Sequence, residues 1–240
     1  MADKVIYLTY DMEWSCDELM DWFIDNAVNK QGIKGTINVT HNTRCLEQIR
    51  SEKKLELGIH PNFNNLLESN NFLGDDYRSI VCGLKQIVPE AVSIRSHSLV
   101  KSNQLSKFLS ESGFKVESNI FVEPYEGISI TSFKDCFGLI QVPILFEDDL
   151  YLSSTVKHHP EWYFDIDMDM VFNFHPIHLL LNTDNMDRYS GAKPYYHDFV
   201  RLQDYINRDQ YGVYDFYKDL ISIGKLDGYE FRMLREISAV

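Results

Sequence analysis

Five short apolar runs in this chain each stop at a residue able to hold a metal or move a proton. VIYLTYDMEW stops at Asp11 and Glu13, GTINVTHN at Thr40 and His41, LELGIHPNFN at His60 and Asn64, AVSIRSHS at Arg95 and His97, and MVFNFHPIH at His175 and His178. Asp11 and Glu13 stand two apart, so strand geometry carried through them sets both on one side. A pair of carboxylates there allows a division of labour, in which one binds a metal and the other takes a proton from water. His60 brings an imidazole, a frequent metal ligand that also titrates near neutral pH. Asn64 lies beside it if the segment turns helically, although an amide oxygen is a poorer ligand than imidazole for a zinc-like ion. Arg95 placed near Asp11 holds that carboxylate ionised and fixed in direction. His97 has three uses open to it: ligand, substrate contact or support for Arg95. His175 ends an apolar strand, where burial disfavours its charge; a second charge or a departing group nearby restores it, as a general acid requires. His178, three residues on, is a supporting or substrate-facing group. Trp14 and Phe63 are aromatics beside the same mouth, suited to stacking on a sugar ring.

These residues meet only if the strand ends meet. The first half of the chain alternates β-rich runs (5–9, 35–40, 55–60, 91–95, 116–119) with helical patterns (17–29, 43–51, 75–87, 102–112). Leu19, Trp22, Phe23 and Ala27 mark the inner face of the first helix. Such alternation predicts parallel βαβ units, an α/β class of fold. Right-handed crossovers then put every strand's carboxyl end on one side, the side where barrels and open sheets bind ligands. Pattern alone does not choose between a closed barrel and an open doubly wound sheet. Further on, 137–145 reads as one or two strands, EDDLYL turns outward, and 170–175 is a last strand, apolar apart from Asn173. Asp165, Asp167 and Asp169 precede that strand and belong on a solvated rim at the opposite end from His175. His158, His159 and Pro160 read as a surface turn. With no repeat and no linker-like tract, 1–240 reads as a single domain, its motifs in 5–180 and an aromatic, partly helical extension over 185–240.

The net charge of −13 at pH 7 argues against a nucleic-acid partner and against docking on anionic lipid. Cys16, Cys45, Cys82 and Cys136 are scattered and form no C-x-x-C pair, which suits free thiols in a reducing compartment better than zinc knuckles. The N-terminus enters a strand at once and shows no signal-peptide pattern, and no apolar run approaches the ~20 residues of a spanning helix. A cytoplasmic protein without membrane insertion is the expectation.

At the strand-end residues the chain resembles the polysaccharide deacetylase, or NodB-homology, superfamily. The family's opening T-F-D-D or T-x-D-x-[DE] pattern stands here as TYDMEW, its second strand as GTINVT, its H-x-x-x-H as HPNFN, its R-x-P segment as RSHS, and its late histidine as FNFHP. The combination is most similar to a divergent, WbmS-like branch. The resemblance implies a distorted (β/α) barrel of about seven parallel strands. It implies Asp11 as catalytic base, Arg95 as its orienting partner, His175 as acid, and Glu13 and His60 as ligands of a divalent ion, zinc foremost, with manganese, cobalt or nickel as alternatives. The implied reaction is hydrolysis of an N-acetyl or similar group on an amino sugar, a precursor of a cell-surface glycan. Asn64 stands where the family has its second metal histidine, and His97 where it has proline. A site of Glu13, His60 and Asn64 binds metal weakly, unless His97 supplies the missing nitrogen. A catalytically silent sugar-binding protein on the same fold, and a hydrolase of a small non-sugar amide, are the alternative readings.

Overall fold

The computed structural model describes residues 4–67, 76–125 and 129–238. Its strands are β1 (Val5–Asp11), β2 (Gly35–Val39), β3 (Leu55–Ile59), β4 (Ser93–Ile94), β5 (Val116–Phe121), β6 (Ser129–Ile130), β7 (Phe133–Lys134), β8 (Ile140–Ile144), β9 (Phe146–Glu147), β10 (Asp167–Met168), β11 (Met170–Phe174) and β12 (Glu230–Arg232). Its α-helices are α1 (Asp17–Phe23), α2 (Cys45–Ser51), α3 (Asn64–Leu67), α4 (Tyr77–Ile87), α5 (Asn103–Glu111), α6 (Asp148–Ser153), α7 (Pro160–Tyr163), α8 (Pro176–Leu181), α9 (Met186–Ala192), α10 (Phe199–Leu202) and α11 (Val213–Leu226). β2, β3 and β11 are buried along their whole length, as strands covered on both faces must be. That is why these strands read as runs of apolar residues rather than as alternation.

The main sheet runs β7-β8-β5-β4-β3-β2-β1-β11-β9. β8 and β9 are two halves of one chain run, parted by Leu145, whose N–H donates to Val171 O at 2.9 Å. The first half pairs with β5 and the second with β11, so the sheet curls until it meets itself. The ring β1, β2, β3, β4, β5, β8/β9, β11 is parallel throughout; only the short β7 lies antiparallel, on β8. This is the α/β barrel of about seven parallel strands that the family resemblance implies. All ring strands therefore end on one side, which gathers Asp11, His60, Arg95 and His175 there.

Local differences have local causes. The helix expected over 17–29 changes at Ile24 into a wider π turn that ends with Lys30 N–H on Asp25 O at 3.1 Å. Leu19, Phe23 and Ala27 are still buried, and Trp22 is half-buried. Asp76 caps α4 by accepting from Ser79 N–H at 2.8 Å, and residue 75 of the expected helix lies outside the described residues. Ser102 caps α5, accepting from Leu105 N–H at 3.1 Å. Gly35 is required where β2 crosses β1, because a Cβ there would stand 2.6 Å from the Tyr10 ring. The C-terminal extension packs on the barrel: Phe216 of α11 stacks on Phe146 with centroids 4.4 Å apart, and Tyr217 Oη bonds Tyr10 Oη at 2.7 Å. Among the described residues no helix is long and apolar enough to cross a membrane.

Candidate active site

Asp11 ends β1 and is 2% exposed. A carboxylate this buried must be bonded on both oxygens. Asn38 Nδ2 donates to Oδ1 at 2.8 Å, and Asn173 Nδ2 donates to Oδ2 at 2.8 Å. Arg95 stands beside them, its Nη1 3.4 Å from Oδ1. The guanidinium is wholly buried and aimed by its other bonds: Nε to Ser118 O at 3.1 Å, Nη2 to Ser118 Oγ at 2.8 Å, and Nη1 to Thr9 Oγ1 at 2.7 Å and to Asn173 Oδ1. Burial alone would raise the Asp11 carboxyl. Attraction to His60, Arg95 and His175, with the Asn38 hydrogen bond, outweighs it and holds the group below the usual carboxylate range.

Glu13 does not continue the strand. It and Trp14 adopt left-handed backbone, with φ of 45° and 53°, which costs about 1 kcal/mol or more per residue. Ser15 N–H donates to Met12 O at 2.9 Å, and Trp14 N–H donates to Thr40 Oγ1 at 3.1 Å, holding the turn. Met12 keeps the strand alternation, joining Ile6, Leu8 and Tyr10 in one core, and the left-handed turn after it sets Glu13 on the cavity with Asp11, as expected. There Glu13 Oε1 meets Nε2 of His60 at 2.8 Å and Nδ1 of His97 at 2.7 Å. Burial would raise Glu13, but the two imidazole hydrogen bonds win and hold it well below its ordinary value. Its hydrogen bond in turn raises His97. Donor atoms of Glu13, His60 and His97 all lie within 4.8 Å of one another. Two imidazoles and one carboxylate converging on a point fit a divalent ion of the zinc class that keeps an open position. The remaining nitrogen of His60, Nδ1, is buried without a hydrogen-bond partner and lies 3.6 Å from Asp11 Oδ1.

His175 lines the same cavity, just past the end of β11, the strand paired with β1. Its Nδ1 meets Asp148 Oδ1 at 2.6 Å, and its backbone N–H donates to Asp148 Oδ2 at 2.7 Å. Asp148 is fully buried, so the EDDLYL segment does not turn outward as expected. It closes the run Ile140–Glu147 as a sixth strand ending of the same kind as the other five. Burial would strip the His175 proton; the Asp148 and Asp149 carboxylates, the Asp148 hydrogen bond and Asp11 outweigh it, and the imidazole holds its proton well above the ordinary range. A carboxylate kept ionised and an imidazole kept protonated, in one cavity with a metal-capable triad, are the complement needed to hydrolyse an amide.

The profile of the WbmS-like polysaccharide deacetylases matches residues 8–193. The chain belongs to that family. It is therefore a deacetylase-type hydrolase of an amide C–N bond. A crystal structure from Bordetella bronchiseptica, provisionally assigned as a polysaccharide deacetylase involved in O-antigen biosynthesis, is 30% identical, covers 91% of this chain and 90% of its own, and superposes with a TM-score of 0.83. A 4-alpha-glucanotransferase from Thermococcus litoralis is 12% identical over 97% of this chain and 39% of its own, with a TM-score of 0.47. No curated protein matches the chain.

The deacetylase cavity has a volume of about 830 Å³. Asp11, Glu13, His60, His97 and His175 line it, with Trp14 and His178 as expected, and Tyr189 and the segment 193–198 of the C-terminal extension form a further wall. Three expectations fall elsewhere. Asn64 gives its Nδ2 to Ser98 Oγ at 3.2 Å and is not among the cavity-lining residues, whereas His97 meets Glu13 alongside His60. Phe63 is 2% exposed in the core and does not line the cavity. Thr40 and His41 bond each other and brace the Trp14 turn. Asp167 and Asp169 bind Ser129 and Ser132 before β11 begins, away from His175. The sequence reading gave no site role to Asn38, Asn173, Glu147, Asp148 or Asp149. The two asparagines did leave a signal, each being the one amide in a buried apolar strand. Glu147 lines the cavity, and burial, with Asp11 and Asp148 adding to it against His175 and Arg95, pushes its carboxyl up to about 7.

Proposed function

We propose that this deacetylase removes an N-acyl group, acetyl foremost, from an amino sugar of a surface-glycan precursor inside the cell, with a divalent ion, zinc first, on Glu13, His60 and His97. The observation that carries the reading is that Asp11 and His175, at the ends of the paired strands β1 and β11, line one cavity with that triad. When bound, the ion supplies Lewis acidity toward the amide carbonyl and lowers the pKa of water. Asp11 takes the proton of the attacking water; Asn38 and Asn173 fix both its oxygens, and Arg95 keeps it ionised. His175 gives its proton to the departing amine, with Asp148 fixing the ring so that Nε2 faces the cavity. Trp14 and the tyrosines of the C-terminal wall offer rings for a sugar face. The involvement of the Bordetella protein in O-antigen biosynthesis supports a glycan precursor as substrate. The silent-binder alternative drew on Asn64 as a weak ligand, and the second imidazole of His97 beside Glu13 supports the metal-dependent reading over it.

The test is Asp11→Asn, assayed by acetate release from a panel of N-acetylated amino sugars. General-base loss lowers kcat by about 10²–10⁴-fold, with metal content unchanged. Undiminished turnover refutes the assignment.

A further inference from the structure

The mechanism above uses Asp148 and His175 and leaves Asp149 without a task. Asp149 begins α6 beside Asp148 and lines the cavity with its side chain 46% exposed. One of its oxygens meets Nε2 of His178 at 2.7 Å, and the other lies 3.9 Å from Nε2 of His175. The two rings stand at 88° with centroids 5.8 Å apart. Donor atoms of Asp148, Asp149, His175 and His178 all lie within 4.8 Å of one another.

What separates this group from an ordinary ion pair is the far side of each ring. Nδ1 of His175 is held by Asp148 Oδ1 at 2.6 Å, and Nδ1 of His178 by Thr183 Oγ1 at 3.0 Å. Histidines that ligate metals are fixed in this way, with the distal nitrogen bonded and the other presented. Both presented nitrogens point at a single half-exposed carboxylate. Ligands of a tetrahedral ion, about 2.0–2.1 Å from the metal, stand about 3.3 Å apart; His178 Nε2 lies 2.7 Å from one Asp149 oxygen and His175 Nε2 3.9 Å from the other, and one donor atom of each residue lies within 4.8 Å of the rest. All three residues line the cavity, from which an ion can reach them.

We infer that Asp149, His175 and His178 form a second, inhibitory site for a divalent cation of the zinc class. The inhibition rests on the proposed role of His175: an Nε2 that ligates an ion carries no proton for the departing amine. The deacetylase then works with one ion bound and is braked by two.

The experiment titrates metal-free enzyme with zinc, counts bound ions per chain and follows activity over the same range, for the wild type, Asp149→Asn and His60→Gln. The wild type binds two ions; His60→Gln loses the first and Asp149→Asn the second. Wild-type activity rises with the first ion and falls at least tenfold with the second, while Asp149→Asn shows no fall. One ion on the wild type, or two on Asp149→Asn, overturns the site whatever the activity. Two ions with no fall in wild-type activity overturns the brake. Two ions, one of them lost in Asp149→Asn, with no amide hydrolysed at any zinc level, supports the site and overturns the reaction proposed above.

Discussion

Asp148 sets how the proton donor behaves. It takes both the ring and the backbone N–H of His175, and its charge is the largest influence opposing burial. Asp11, depressed, is ionised throughout the neutral range, while His175, raised, keeps its proton until well above its ordinary value. The kcat/KM profile is therefore expected to rise on the acid side as Asp11 loses its proton, stay level through neutrality, and fall on the alkaline side as His175 loses its own. Asp148→Asn leaves burial to dominate, so the alkaline limb moves to lower pH, read from kcat/KM profiles of the two enzymes; an unmoved limb assigns the donor elsewhere. The same shifts link to stability. The raised His175 stabilises the fold at pH below its unfolded value, and that contribution is lost as pH rises through its folded one. The depressed Asp11 stabilises above its unfolded value and loses this as pH falls through the folded one. At this scale the sequence was informative where chemistry sat on a strand end, as with Asp11, His60, Arg95 and His175. It marked Asn38 and Asn173 only as lone amides in apolar strands, without their partners, which are distant in sequence, and it misled at Asp148, since an acidic pair after an apolar run also describes a surface turn.

Elements aim these groups, and β3 shows how narrowly. Gly58 lies opposite Asn38 in the β2–β3 register. A Cβ there would stand 2.7 Å from Asn38 Oδ1 and 2.7 Å from Ser93 Oγ. Gly58→Ala must displace the amide that fixes Asp11, so kcat is expected to fall by about tenfold, since small misplacements of positioning groups are costly, with about 1–3 kcal/mol lost from stability through overpacking. Gly83, in the interior of α4 with nothing within 4 Å of a Cβ, is the control. Gly83→Ala should gain about 1 kcal/mol and leave kcat alone. Urea unfolding and steady-state rates check both. Helix and strand positions were largely legible because period and caps are local signals. The turn at Glu13 was not, because nothing local announces a left-handed Glu-Trp pair.

For the whole molecule, closure is the feature no local pattern could supply. Ile140–Glu147 must pair with β5 through one half and β11 through the other, and each half is simply apolar. The same run brings Phe146 against Phe216 of α11, so the C-terminal extension and the catalytic wall share one core. Phe216→Ala should cost about 3–5 kcal/mol in a single cooperative urea transition; a loss confined to a separate, earlier transition would divide the extension from the barrel. Glu13, His60 and His97 are proposed to hold the ion, while Asp11 and His175 in the same cavity stay free of it. Anomalous diffraction at the zinc edge, from crystals given one equivalent of zinc, tests this most directly. The account predicts one strong peak within bonding distance of those three side chains and no bond to Asp11 or His175. A first-equivalent peak ligated by Asp11, or seated at His175, contradicts it.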